Sequence, residues 1–197
     1  MAAGPPTRTT IGVASRVEDG QVVASLETRI AATPASMVER AMDRKVDVGI
    51  GYFINRHETQ PRQQGPFLEL GFNPWQRPWA ARKRRSGSDG LRGGVLRLTI
   101  HGYGELVTES YPRHMAWGGG AGMSATLEAV RFVDVRGSAA RGNGAGAGLM
   151  LGEIGYGVQL ASGYRRVDDV DSWTTTLALS IRMPTFLGIG IAGGIFR

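Results

Sequence analysis

The chain has 197 residues, a formal net charge of +6 and no cysteine. It is long enough for one sizeable domain, and neither a disulfide framework nor a thiolate metal site is available to it. No stretch approaches the roughly 18 consecutive apolar residues of a spanning helix, which closes the helical route into a membrane but not the β-barrel route, whose strands alternate.

Residues Met1 to Thr9, with Gly4-Pro5-Pro6, read as a lead-in to a single domain over residues 10–197. No basic region followed by an apolar run opens the sequence, so an envelope location presumes a signal segment already removed. Ile11 to Val17 and Gln21 to Ile30 flank Glu18-Asp19-Gly20, and Asp-Gly supplies the positive φ of a tight hairpin. Thr33-Pro34 has the form of an N-cap with proline at the first helical position. Met37, Val38, Ala41 and Met42 then make a narrow apolar stripe, so one short helix is expected over residues 34–44.

Val46 to Ile54 alternates again, with Asp47, Gly49 and Gly51 on the opposite face, and Phe67 to Phe72 follows the polar turn Asn55 to Gly65. Asn73 to Gly94 is the longest interruption, and loops of this length are commonly functional. Val95 to Thr108 sets Leu96, Leu98, Ile100 and Leu106 against Arg97, Thr99, His101, Tyr103 and Glu105, with a bend or bulge expected at Gly102 and Gly104. Ala121 to Val135 sets Met123, Ala125, Leu127 and Ala129 against Ser124, Thr126 and Glu128, then changes phase near Val130 to Phe132, where a second bulge is expected. Gly137 to Gly148 reads as a mobile turn.

The clearest alternation lies in the last third. Leu149 to Tyr164 and Trp173 to Met183 each present an apolar face (Ile154, Tyr156, Val158, Leu160; Trp173, Leu177, Leu179, Ile181) opposite glycine and small polar residues. Pro184-Thr185 is too short for a crossover, so Phe186 to Phe196 is expected to fold back as an antiparallel hairpin. The whole reads as an all-β chain of eight or nine strands in a closed or nearly closed antiparallel barrel, because closure removes exposed edges. A sandwich is the second choice. The 30 glycines, about twice the usual share, suit a tightly curved sheet.

Two orientations satisfy such faces. In a soluble barrel the aliphatic side chains point inward; in a spanning one they meet lipid, and glycine, small polar residues and paired charges fill the lumen. In the second case Arg97, His101, Tyr103, Glu105, Glu153, Gln159 and Arg182 form a lumen network. The last residues, Gly188-Ile189-Gly190-Ile191-Ala192-Gly193-Gly194-Ile195-Phe196-Arg197, resemble the terminal strand of bacterial outer-membrane β-barrel proteins, which alternates and closes on an aromatic residue. That resemblance implies a location in the bacterial outer membrane, the periplasm or the cell surface, an envelope lipoprotein barrel included. Arg197 after the aromatic departs from the pattern, as do connections that do not alternate cleanly between short and long.

A basic segment, Arg77 to Arg92, contains the consecutive Arg82, Lys83, Arg84 and Arg85 beside Trp75 and Trp79. It suits an anionic lipid or lipopolysaccharide surface, or an envelope protein partner, ahead of nucleic acid. The competing reading is a solvated loop with indoles folded back on the barrel. The histidines His57, His101 and His114 lack metal-ligand spacing, the glycine runs lack a phosphate-loop Lys-Ser/Thr, and no Gly-x-Ser-x-Gly elbow occurs. No metal, cofactor or catalytic residue is assigned. The expected role is a non-enzymatic envelope barrel using loop 73–94 as its contact surface. The alternative is a soluble barrel that binds a small apolar or anionic ligand in its interior.

Overall fold

The computed structural model describes residues 7–18, 20–33, 45–58, 60–79, 94–111, 113–134 and 151–183. They form eight strands: β1 (Thr7–Glu18), β2 (Gln21–Ala32), β3 (Val46–Arg56), β4 (Arg62–Trp79), β5 (Gly94–Ser110), β6 (Met115–Asp134), β7 (Leu151–Val167) and β8 (Val170–Met183). Each pairs antiparallel with its sequence neighbour, and β1 pairs with β8 to close the barrel. The expected helix at 34–44, the turn at 137–148 and the segment 186–196 lie outside the described residues, and the barrel closes through β1 and β8 without the last. Thr7 to Thr9 are paired in β1, so the strand begins earlier than the prolines suggested.

Register sets the tilt. Pairings that start at Thr7 run through Ala32, Ile50, Leu68, Gly104, Ala121, Tyr164 and Trp173 and return to β1 at Val17, ten residues further along. A stagger of this size requires strands tilted by about 40° to the axis. Each residue then climbs ~2.5 Å and each strand crossed along a pairing row climbs about 3 Å.

The expected Asp-Gly hairpin is present, with Glu18 opposite Gln21 and Gly20 at φ 76°. At the same rim, β7 and β8 join through Asp168 and Asp169, with Asp168 at φ 52°. The other connections at this rim are 57–61 and 111–114. Segments 33–45, 80–93 and 135–150 all join strands at the opposite rim, where β1 begins and β8 ends. Short and long connections therefore do alternate, since strands continue into several of the expected turns. β3 reaches Arg56 and β4 starts at Arg62, inside the expected turn 55–65.

Both expected bulges are absent. The register through Gly102 and Gly104 is unbroken on both sides, and it is unbroken again at Val130 to Phe132. At Val130 it is the environment that changes: Val130 and Val95 face inward as a small apolar cluster, and Arg131 faces out at the rim, so alternation persists while its polarity reverses. The one register shift of the β4–β5 ladder falls between Phe72 and Trp75. Pro74 has no N–H to donate there, and Asn73 donates its own N–H to the Lys45 carbonyl at 2.9 Å. β4 then resumes to Trp79, inside the expected loop 73–94.

Candidate functional site

The barrel is polar inside and apolar outside. Leu68, Leu70, Leu106, Met123, Leu160, Leu177 and Leu179 are exposed on the outer wall, with Leu179 at 65%. Arg97, Glu128, Arg165 and Arg182 are buried inside at 0–1%. Outward-facing charges among the described strand residues stand only near the rims: Arg56, Arg62, Arg166 and Asp171 at the short-turn rim, Arg77 and Arg131 at the other. Trp117, Tyr164 and Trp173 are exposed near the first rim, and Phe72, Trp75 and Tyr156 near the second. With the climb per residue given above, the two aromatic groups are separated by roughly 20–25 Å of height, close to the ~25 Å apolar band of a spanning barrel.

The lumen is filled in layers. Nearest the long-connection rim, beyond Val95 and Val130, lies a cluster in which Arg8, Arg97 and Arg182 face Glu69, Asp47 and Glu128. Glu128 Oε2 receives Arg97 Nη2 at 3.1 Å and Arg182 Nη2 at 3.2 Å, and its Oε1 receives the Ser180 hydroxyl at 2.8 Å. Arg182 also donates to Asp47 Oδ2 at 3.3 Å and, through Nη1, to Thr33 Oγ1 at 3.2 Å. Arg8 bonds Glu69 and donates Nη1–H to His101 Nε2 at 3.1 Å. Asp47 Oδ2 lies 3.4 Å from the same histidine nitrogen.

Above it is a closed ring of four charges. Arg29 donates to Glu27 at 2.8 Å and to Glu105 at 2.9 Å, and Arg165 donates to Glu27 at 2.7 Å and to the other oxygen of Glu105, so each charge meets both opposite ones. Burial of ions is costly unless every lone pair and proton finds a partner, and here Asn55, Gln63 and Thr176 complete the set. The Arg29 guanidinium lies 4.4 Å from the Tyr103 ring centroid and 5.3 Å from that of Phe67, while Arg165 lies 4.7 Å from Phe53. Phe53, Phe67, Val107, Ala116 and Val167 pack around this layer.

At the short-turn rim Arg16 pairs with Glu18 at 2.8 Å and Glu109 at 3.4 Å. Tyr111, in the β5–β6 turn, donates to Glu109 at 2.8 Å. That bond, with burial and nearby negative charge second, pushes its phenol up to about 12.

Glycine makes room for these side chains. A Cβ at Gly49 would strike Glu69, at Gly71 His101, and at Gly122 and Gly163 the Tyr103 hydroxyl. The glycine-rich faces of the sequence are thus the lumen wall opposite the long charged residues.

Of the residues expected in a lumen network, Arg97, His101, Tyr103, Glu105, Gln159 and Arg182 point inward and are buried. They do not form one group: Arg97, His101 and Arg182 belong to the first cluster and Tyr103 and Glu105 to the ring. Gln159 donates to Ser124 and Thr126, each at 3.2 Å. The Glu153 side chain lies outside the described residues. Glu27, Arg29, Arg165 and Arg8 were not among the expected set. Arg165 shares the phase of Gln159, and Glu27 and Arg29 alternate with apolar neighbours, so period two marked them; Arg8 was lost to the lead-in.

Trp75 is exposed on the outer wall of β4. Trp79 ends that strand, and its side chain, like Arg82, Lys83, Arg84 and Arg85, lies outside the described residues. No group of His, Asp and Glu among the described residues is placed to hold a metal ion. Charge clusters fill the lumen and the apolar side chains face out, the reverse of the inward aliphatic faces expected of a soluble barrel.

No family model matches the sequence, and neither does any curated protein. Among solved structures, the fold is similar to that of Neisserial surface protein A, NspA, with a TM-score of 0.50 and 8% identity over 91% of this chain and 96% of that one. A further match is Ail, the attachment invasion locus protein of Yersinia pestis, in complex with the heparin analogue sucrose octasulfate, with a TM-score of 0.30 and 8% identity over 92% of this chain and 99% of that one. The chain is an eight-stranded, closed antiparallel β-barrel of the kind NspA adopts.

Proposed function

We propose that this chain is an outer-membrane β-barrel of a bacterial envelope, non-enzymatic, whose barrel anchors a surface-binding rim. The observation that carries the reading is the inverted polarity: uncharged apolar side chains cover the outer wall between two aromatic groups, and the buried charges are matched in the lumen. In water such a wall would expose far more contiguous apolar area than soluble monomers do; in lipid it is the stable face. The filled lumen supports an anchor rather than a channel. Basic residues Arg82, Lys83, Arg84 and Arg85, in the connection from β4 to β5, supply the contact with anionic lipid or lipopolysaccharide.

Because the chain has no cysteine, single-cysteine spin labels are unique. In lipid vesicles a label at Leu179→Cys should collide with dissolved oxygen and be shielded from a water-soluble nickel chelate, while a label at Ser180→Cys, inside the lumen, should be shielded from both. A label at 179 that meets the chelate freely would sink the reading.

A further inference from the structure

Arg56 ends β3 and Arg62 begins β4, each one residue beyond the last pair of their ladder, Asn55 with Gln63, so the antiparallel register sets them beside one another. Both point outward: Ile50, Tyr52 and Leu68 share their phases on the outer wall. Like charges so placed repel, and among the described residues neither guanidinium has a carboxylate within ion-pairing distance. The flanking outward positions are Leu26, across from Arg56, and Ser110, across from Arg62. The outward-facing acid among the described strand residues, Asp171 at the β7–β8 hairpin, is engaged with Arg166 and Tyr164. Glu58, exposed in the adjoining turn, pairs with neither arginine.

By the climb per residue and per strand, the pair stands roughly 20–25 Å above Thr7, level with Tyr164, Trp173 and Trp117. This is the height at which a spanning barrel meets headgroups, and Leu26, Leu68 and Leu106 lie around and below it on the outer wall. Two guanidinium forks without counter-charge at that height match a phosphate geometrically and electrostatically. We propose that Arg56 and Arg62 together clamp the phosphate of a membrane lipid headgroup, with the acyl chains lying against the apolar wall beneath. The site is on the rim opposite the β4–β5 connection, and it rests on the outer wall facing lipid.

The test uses the full chain folded in neutral detergent micelles, titrated with a short-chain phosphatidic acid and, separately, with inorganic phosphate. The wild type should bind the lipid saturably, and the double variant Arg56→Gln, Arg62→Gln should bind at least about tenfold more weakly, the loss of roughly one charge-assisted bond. Arg131→Gln, at the other rim, should bind like the wild type. Without lipid the double variant should unfold no earlier than the wild type, because a repulsion has been removed, so loss of folding is distinguished from loss of the site. Unchanged binding by the double variant would overturn the clamp. Equal affinity for inorganic phosphate would reduce it to a free-anion site, and an equal loss in Arg131→Gln would make it a bulk charge effect; either result overturns the proposal. The label at position 179 tests the lipid-facing wall independently.

Discussion

Glu128 is the residue on which the lower ion cluster converges, since one carboxylate serves two arginines and a serine hydroxyl. Glu128→Gln keeps the volume but leaves Arg97 and Arg182 sharing the remaining negative charge, and an underpaired buried ion commonly costs about 3–5 kcal/mol. Unfolding by urea from lipid vesicles should show a loss of that order, whereas Gln159→Leu, which removes only neutral hydrogen bonds to Ser124 and Thr126, should cost about 1–3 kcal/mol. Equal losses would mean that charge pairing is not what holds the lumen. Glycine complements the clusters at the same scale: Gly122 and Gly163 lack a Cβ where the Tyr103 hydroxyl sits.

Along one strand, depth sets the cost of an outward charge. On β8 the outward positions run Trp173, Leu177, Leu179 and Ile181, while Thr174, Thr176, Ser180 and Arg182 are buried between them. Leu179 lies near mid-height between the two aromatic groups, and Leu179→Arg should lose roughly 2–4 kcal/mol; Val17→Arg, level with Trp173, should lose about 0–1 kcal/mol. A flat cost along this depth would contradict the lipid-facing band. The alternation that locates these faces was plain in the sequence as far as Tyr164, and the strand carries the same phase on to Arg165. Strand ends were less plain, because Asn73-Pro74 and the polar residues near 55–65 carry turn chemistry that the ladder overrides: paired neighbours supply hydrogen bonds that no local propensity can anticipate.

For the whole molecule, three long connections and the β1 and β8 ends share one rim, and the basic segment belongs to one of those connections. Replacing Arg82, Lys83, Arg84 and Arg85 together by glutamine should weaken binding to anionic vesicles or lipopolysaccharide, each residue contributing on the order of 1 kcal/mol at low salt, with the thermal transition nearly unchanged. The difference should shrink as salt rises, since exposed charges are screened within about 10 Å at 0.1 M. Identical binding by both proteins at low salt would leave the segment a solvated surface. Period-two alternation, glycine abundance and hairpin turns determined by themselves that this chain makes an antiparallel sheet with two unlike faces, because side-chain direction in a strand follows from backbone geometry alone; its closure is settled by the pairing of β1 with β8. Which face is inside was decided only by the tertiary structure. Alternation is symmetric under exchange of the two faces, and the choice depends on whether the charges, brought from distant strands by the ten-residue stagger, neutralise one another across the lumen.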